Sequence, residues 1–167
     1  MFLPEKLKEG KIMKKVVVAI DGSEASKGVV DYAIHYANRE RDAEMLFLHV
    51  ISILDQKHVF YGEGTAYMPP SDAEVKQEFE DFINKRIELA GMTIPKMSIH
   101  IRTGRDYDQI VSFAEKDDAD MIMIGHRGLS GVERFFLGSV AAKVVSRAPC
   151  SVYVHRPKEL RGEYTGV

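Results

Sequence analysis

The sequence predicts an α/β domain: a single open, doubly wound, five-stranded parallel sheet with helices on both faces. Three observations carry that expectation. Strand-like and helix-like apolar periods alternate along the chain, giving the string β-α-β-α-β-α-β-α-β, which implies right-handed crossovers and a parallel sheet covered on both sides. The chain has 167 residues, 45% hydrophobic and 29% charged. A domain near that size hides about 68 to 70% of its unfolded surface, whereas two separate domains would each be marginal. No internal repeat is visible, so the string is one copy.

The elements follow in order. Residues 16–20 are a continuous run, Val-Val-Val-Ala-Ile, as a strand buried on both faces requires, and it stops at Asp21-Gly22-Ser23, a turn leading into a helix cap. Ala25, Val29, Tyr32, Ala33, Tyr36 and Ala37 then recur at helical spacing, although Gly28 weakens that helix by roughly 1 kcal/mol relative to Ala. Residues 45–50 form the second strand. Val75, Phe79, Phe82, Ile83, Ile87 and Ala90 mark a second helix that Gly91 ends. Residues 97–101 alternate as a strand, and Tyr107, Ile110, Val111 and Ala114 mark a third helix with Asp106 as its expected cap. Residues 121–124 are the fourth strand, Leu137, Val140, Ala141, Val144 and Val145 a fourth helix, and residues 151–154 the last strand. A core domain over 13–157 is expected, flanked by an uncommitted extension at 1–12 and a polar tail at 158–167.

Composition narrows the function. The net charge is −2, from 23 Lys plus Arg against 25 Asp plus Glu, so no global field attracts nucleic acid or an anionic membrane. The one cysteine, Cys150, supports neither an intrachain disulfide nor a multi-thiolate metal site and suits a reducing compartment. Residues 1–12 lack the apolar centre of a signal peptide, and no apolar run approaches the ~20 residues of a membrane span. A cytoplasmic location is expected.

The chemistry concentrates between the fourth strand and the fourth helix. Gly125, Gly128, Gly131 and Gly138 fall within fourteen residues. Glycines let backbone N–H groups converge on an anion, and a helix N-terminus adds partial positive charge. There, Gly138-Ser139-Val140 would offer amides and one hydroxyl to a phosphate, the hydroxyl being worth about 0.5 to 1.5 kcal/mol. The same pattern suits a turn that needs positive φ, so spacing alone leaves both readings open. Neither G-x-x-x-x-G-K-[ST] nor a G-x-G-x-x-G after the first strand occurs, which excludes a P-loop and a dinucleotide fold. Asp21 and Gly125 lie at carboxyl ends of strands, where open α/β sheets bind ligands. The Asp21 carboxylate would accept hydrogen bonds from a ribose or base, or cap the turn into the first helix.

Together Gly125-His126-Arg127-Gly128, nine residues and Gly138-Ser139, with the opening Val-Val-Val-Ala-Ile-Asp-Gly-Ser, the His49-Val50 strand end and Gly104, resemble the ATP-binding subgroup of the universal stress protein family over residues 13–156. The resemblance implies strand order 3-2-1-4-5, with ATP held across strands one and four. It further implies that Ala19, Ile20 and Asp21 line the nucleoside, that Val50 offers backbone groups to adenine, and that Ile124 and Gly125 lead into the phosphate cradle. Gly128, Gly138, Ser139 and Val140 would hold the phosphates, with Arg127 as a charge partner. A Mg or Mn ion would ride on the phosphates rather than in a protein cage. The resemblance also implies a homodimer through the last strand, from Ser151 to Val154, which reads as an edge strand open to antiparallel pairing. His126 departs from the small residue usual in the family, and either faces solvent or narrows the pocket.

The implied function is an ATP-binding stress-response or signalling module acting through nucleotide-dependent conformation or partner surface. A dimeric scaffold of the same fold without nucleotide, or a slow ATPase, are the alternatives, and no residue is singled out as catalytic. The six histidines, His35, His49, His58, His100, His126 and His155, show no metal-binding spacing, and Cys150 reads as a small buried hydrophobe. A phosphoacceptor receiver would need an aspartate at the end of the third strand, where Arg102-Thr103 stand, and a nucleotidylyltransferase paired histidines after the first. The long connection over 51–72 is either a flap or disordered.

Overall fold

The computed structural model describes residues 14–52, 71–127 and 137–157. Five strands and four helices alternate within them: β1 Lys15–Ile20, α1 Glu24–Arg39, β2 Glu44–Ser52, α2 Asp72–Ala90, β3 Lys96–Gly104, α3 Asp106–Lys116, β4 Met121–Gly125, α4 Ser139–Arg147 and β5 Ser151–His155. All neighbouring strands are parallel and the sheet order is β3-β2-β1-β4-β5, as expected.

Alternation along each strand builds two cores. Val16, Val18, Met45, Phe47, Met121 and Met123 face α1 and α2, where Val29, Val30, Ala33, Ile34 and Ile83 close over them. Val17, Leu46, Leu48, Ile122 and Ile124 face α3 and α4, meeting Tyr107, Ile110, Phe113, Ala141 and Val144. Burial on both sides explains the unbroken apolar letters of β1, and each large side chain so buried contributes roughly 1.5–3 kcal/mol. β2 and β3 run past the apolar segment because their ladder continues to Ser52↔Gly104. At the opposite end of the sheet, Asp120 Oδ2 accepts from the Lys14 and Lys15 amides, both at 3.0 Å.

Helix ends follow local chemistry. Ser71 caps α2 in a reciprocal box with Glu74, and Gly91 closes it in the left-handed conformation at φ 60°. The cap of α3 corrects an expectation. Arg105, not Asp106, is the N-cap, and it makes no side-chain cap bond. Asp106 is the first helical residue, where its charge complements the positive end of the helix. Gly28 also acquires a reason: a Cβ there would lie 2.4 Å from His155 Nε2, so α1 gives up helical propensity to let the end of β5 approach. Among the described residues, no helix is long and apolar enough to cross a membrane.

Candidate functional site

Unequal ladders make an opening in the sheet. The β1–β2 ladder runs to Ile20↔His49 and the β4–β5 ladder to Gly125↔His155, but β1–β4 pairing stops at Val18↔Met123. Beyond that pair the last two residues of each strand, Ala19 and Ile20 against Ile124 and Gly125, are no longer laddered to each other. This parting lies at the carboxyl ends of the strands, where the winding reverses, the place at which open α/β sheets receive ligands.

On the β1 side a chain of short polar contacts holds the turn. The Asp21 amide donates to Ser26 Oγ at 3.1 Å, the Ser23 amide donates to Asp21 Oδ1 at 3.0 Å, and the Ser26 amide donates to Ser23 Oγ at 3.1 Å. Asp21 therefore does perform the turn-capping role, with one carboxylate oxygen engaged. Gly22 sits at φ +79°, which the turn requires. The Ile20 carbonyl, freed by the parting, accepts from His49 Nδ1 at 2.9 Å, which fixes that imidazole as the Nδ1–H form if neutral, and the His49 ring packs on Phe79 at 4.3 Å. Val50 lies one residue past the last β1–β2 pair, still paired to Arg102 on its other side, so its backbone edge toward β1 lies beyond that ladder.

The β4 side is stitched to the start of α4. The His126 amide donates to the His155 carbonyl at 2.8 Å, and the His126 carbonyl accepts from the Gly138 amide at 2.7 Å. Gly138 caps α4 with its backbone alone: its carbonyl accepts the first helical bond from Ala142 at 2.9 Å, and no side chain caps the turn. The amides of Ser139, Val140 and Ala141 consequently have no acceptor within the helix. Gly138 differs from expectation in one respect, since its own amide is already committed to His126. Its value lies in close approach, because a Cβ would come 3.1 Å from the His126 carbonyl oxygen and 3.2 Å from Arg127 Cα. Gly125 is equally tight, with a Cβ 3.0 Å from that of Ala25 and 3.1 Å from the Arg127 carbonyl oxygen. Arg127 itself is half-buried beside Gly138.

His126 is buried, with 6% exposure, and among the described residues neither ring nitrogen has a hydrogen-bond partner. The expectation that it faces solvent is thereby excluded. Burial, reinforced by the nearby Arg127 and Arg156 charges, pushes its pKa below the ordinary histidine value. A buried polar group without a partner costs about 1–3 kcal/mol, so the position is a place where a ligand atom would relieve strain in the hydrogen-bond inventory.

Of the sequence-derived residues, Ala19, Ile20, Asp21, Ile124, Gly125, Arg127, Gly138, Ser139 and Val140 fall on the strand ends and helix start that border this opening. Gly128, with Gly131 and Glu133, lies outside the described residues, as does most of the 51–72 connection. Sequence reasoning missed Ser26 and the pinning role of His49; the Ser-x-x-Ser spacing of Ser23 and Ser26 was the available signal for the first. Among the described residues no group of three His, Cys, Asp or Glu could hold a metal. Cys150 is half-buried against the core between the sheet and α3 and α4 rather than fully buried, and burial pushes its thiol pKa up, away from nucleophilic use.

Comparison with known proteins agrees with this architecture. Residues 13–156 match the model of the universal stress protein family. A universal stress protein of Methanocaldococcus jannaschii is 34% identical over 152 residues, covering 89% of this chain and 85% of that protein. Among solved structures, a universal stress protein from Archaeoglobus fulgidus in complex with dAMP superposes with TM-score 0.58 at 25% identity, covering 87% of this chain and 100% of the other. A universal stress protein in complex with cAMP gives TM-score 0.59 at 25% identity, with 86% and 97% coverage.

Proposed function

The chain belongs to the universal stress protein family, and from that membership we propose that it is an ATP-binding module of stress response or signalling, with nucleotide occupancy setting its conformation or partner surface. The observation that carries this reading is the parting of β1 and β4 with the backbone-capped start of α4 at its rim. Relatives of the same fold have been solved with dAMP and with cAMP, which supports an adenine nucleotide as the ligand class. In this reading Ala19, Ile20 and Asp21 line the nucleoside, with the remaining Asp21 oxygen directed at the sugar, and the Val50 backbone meets the base. The amides of Ser139 and Val140 and the Ser139 hydroxyl receive the phosphates, joined by Gly128, while Arg127 supplies positive charge. A divalent ion, Mg or Mn, travels on the phosphates. Gly125 and Gly138 contribute room rather than donors. No residue is assigned a catalytic role.

The edge position of β5, with Ser151 exposed and Val152 to His155 half-buried, supports a second copy adding its own β5 antiparallel. Calorimetric titration with ATP, AMP and cAMP tests the ligand reading, alongside mass spectrometry of nucleotide released from the denatured protein. Saturable binding of ATP with little ADP formed is the expected result. Steady ADP release from added ATP would instead make the protein a slow ATPase, and no affinity for any of the three would leave a scaffold.

A further inference from the structure

We propose that the His126 imidazole is a phosphate contact of this site and takes up a proton when the nucleotide docks. The inference rests on the nucleotide reading above and assigns its proton chemistry to one side chain. His126 uses its backbone fully, giving its amide to the His155 carbonyl and its carbonyl to the Gly138 amide. Its ring is what remains, in a residue 6% exposed, with both nitrogens buried and, among the described residues, without a hydrogen-bond partner. That ring belongs to the residue tied directly to the N-cap of α4, the helix whose first amides lack acceptors. A buried imidazole next to a helix start is a costly arrangement for a packing residue and a useful one for a residue awaiting an anion.

The charges acting on His126 come from two elements. Among the described residues, Arg127 lies on its own segment and Arg156 and His155 lie at the end of β5, where the His155 backbone carbonyl, near the ring but outside hydrogen-bond geometry, acts in the opposite sense and favours a protonated ring; no carboxylate is among them. Burial, and after it the Arg127 and Arg156 charges, favour the neutral imidazole in the free protein. A docked phosphate brings a charge of opposite sign, which favours the imidazolium. The proton comes from bulk water, and the imidazolium then donates from a ring nitrogen to a phosphate oxygen as a charge-assisted bond. Linkage sets the sign. The complex binds a proton that the free protein does not, so affinity rises as pH falls through the window between the raised pKa of the complex and the depressed one of the free protein. One such proton allows at most about a tenfold change in affinity per pH unit.

The test is isothermal titration of the full chain with ATP in excess Mg²⁺, at pH 6 and pH 8 and in buffers of different ionisation enthalpy, for the wild type and His126→Gln. The terminal phosphate of the nucleotide titrates alike in both proteins, so the difference between them belongs to His126. Wild type is expected to bind roughly three- to tenfold tighter at pH 6 than the variant does, with extra proton uptake of up to about one per site that the variant lacks. NMR of the wild-type histidine ring protons with and without ATP guards against a variant that fails to fold: the His126 resonance should titrate at higher pH in the complex. An unchanged or lowered titration midpoint, or equal proton uptake by both proteins, overturns the role of His126 while leaving nucleotide binding intact. Absence of ATP binding by the wild type overturns the nucleotide reading itself and this inference with it.

Discussion

The two halves of the sheet are built to different rules. From β3 through β2 to β1 the ladders are continuous to the end of the shorter strand, and Phe47 and Ile83 are fully buried between them and α2. Across β1 and β4 the ladder gives out at Val18↔Met123, and the residues beyond it include glycines, turn-forming hydroxyls and a histidine whose ring has no hydrogen-bond partner among the described residues. The first half supplies stability through apolar packing. The second spends it on unpaired backbone and a buried imidazole, as sites that await ligands do. The contrast teaches that the opening is not a weak place left over from folding, because the strands that part are each fully paired to their other neighbour.

The contrast can be broken first at its stable side. Phe47→Ala should cost about 3–5 kcal/mol in urea unfolding while changing the ATP affinity of the folded protein less than about twofold. A large loss of affinity would mean that the two halves are not separable. Gly138→Val acts from the other side. Its branched carbons would press on the His126 carbonyl and Arg127 Cα, so stability should fall by about 1–3 kcal/mol and ATP affinity by roughly tenfold or more. Calorimetry with wild-type affinity retained would show that the start of α4 does not need this close approach.

The smallest effect is a pH dependence of the ligand-free protein. The folded pKa of His126 lies below its unfolded value, so the unfolded chain binds more protons as pH falls from about 6.5, and stability declines until the folded pKa is passed. His100 is shifted the same way by burial and contributes in parallel. Urea unfolding at pH 7.5 and 5.5 should therefore show a smaller acid loss in His126→Gln than in wild type, with the His100 component common to both. Equal losses would place His126 in a setting as wet as the unfolded chain.

Much of this fold was legible because its signals are local. The β-branched run of β1, Ser23 before α1 and Gly91 after α2 each declare themselves within a few letters. The sheet order was legible only through family resemblance, since no local pattern says which strand lies beside which. What escaped were contacts between distant segments. Gly28 reads as a flaw in a helix until His155 is seen against it. His126 reads as a solvent or pocket residue because its burial is decided by β5 and by the start of α4, both far along the chain. The α3 cap failed for a smaller reason: Asp106 has the right chemistry, but helical geometry begins at Asp106 itself, leaving Arg105 at the boundary.

The central claim is that a nucleotide enters where β1 and β4 separate, and a backbone amide chemical-shift map on adding ATP tests it most directly. The account predicts large perturbations in Ala19 to Ser26, Ile124 to Arg127 and Gly138 to Ala141, with β3 and the amino-terminal half of α2 unmoved. Perturbations centred on β3 and α2, with the β1–β4 opening silent, would contradict it.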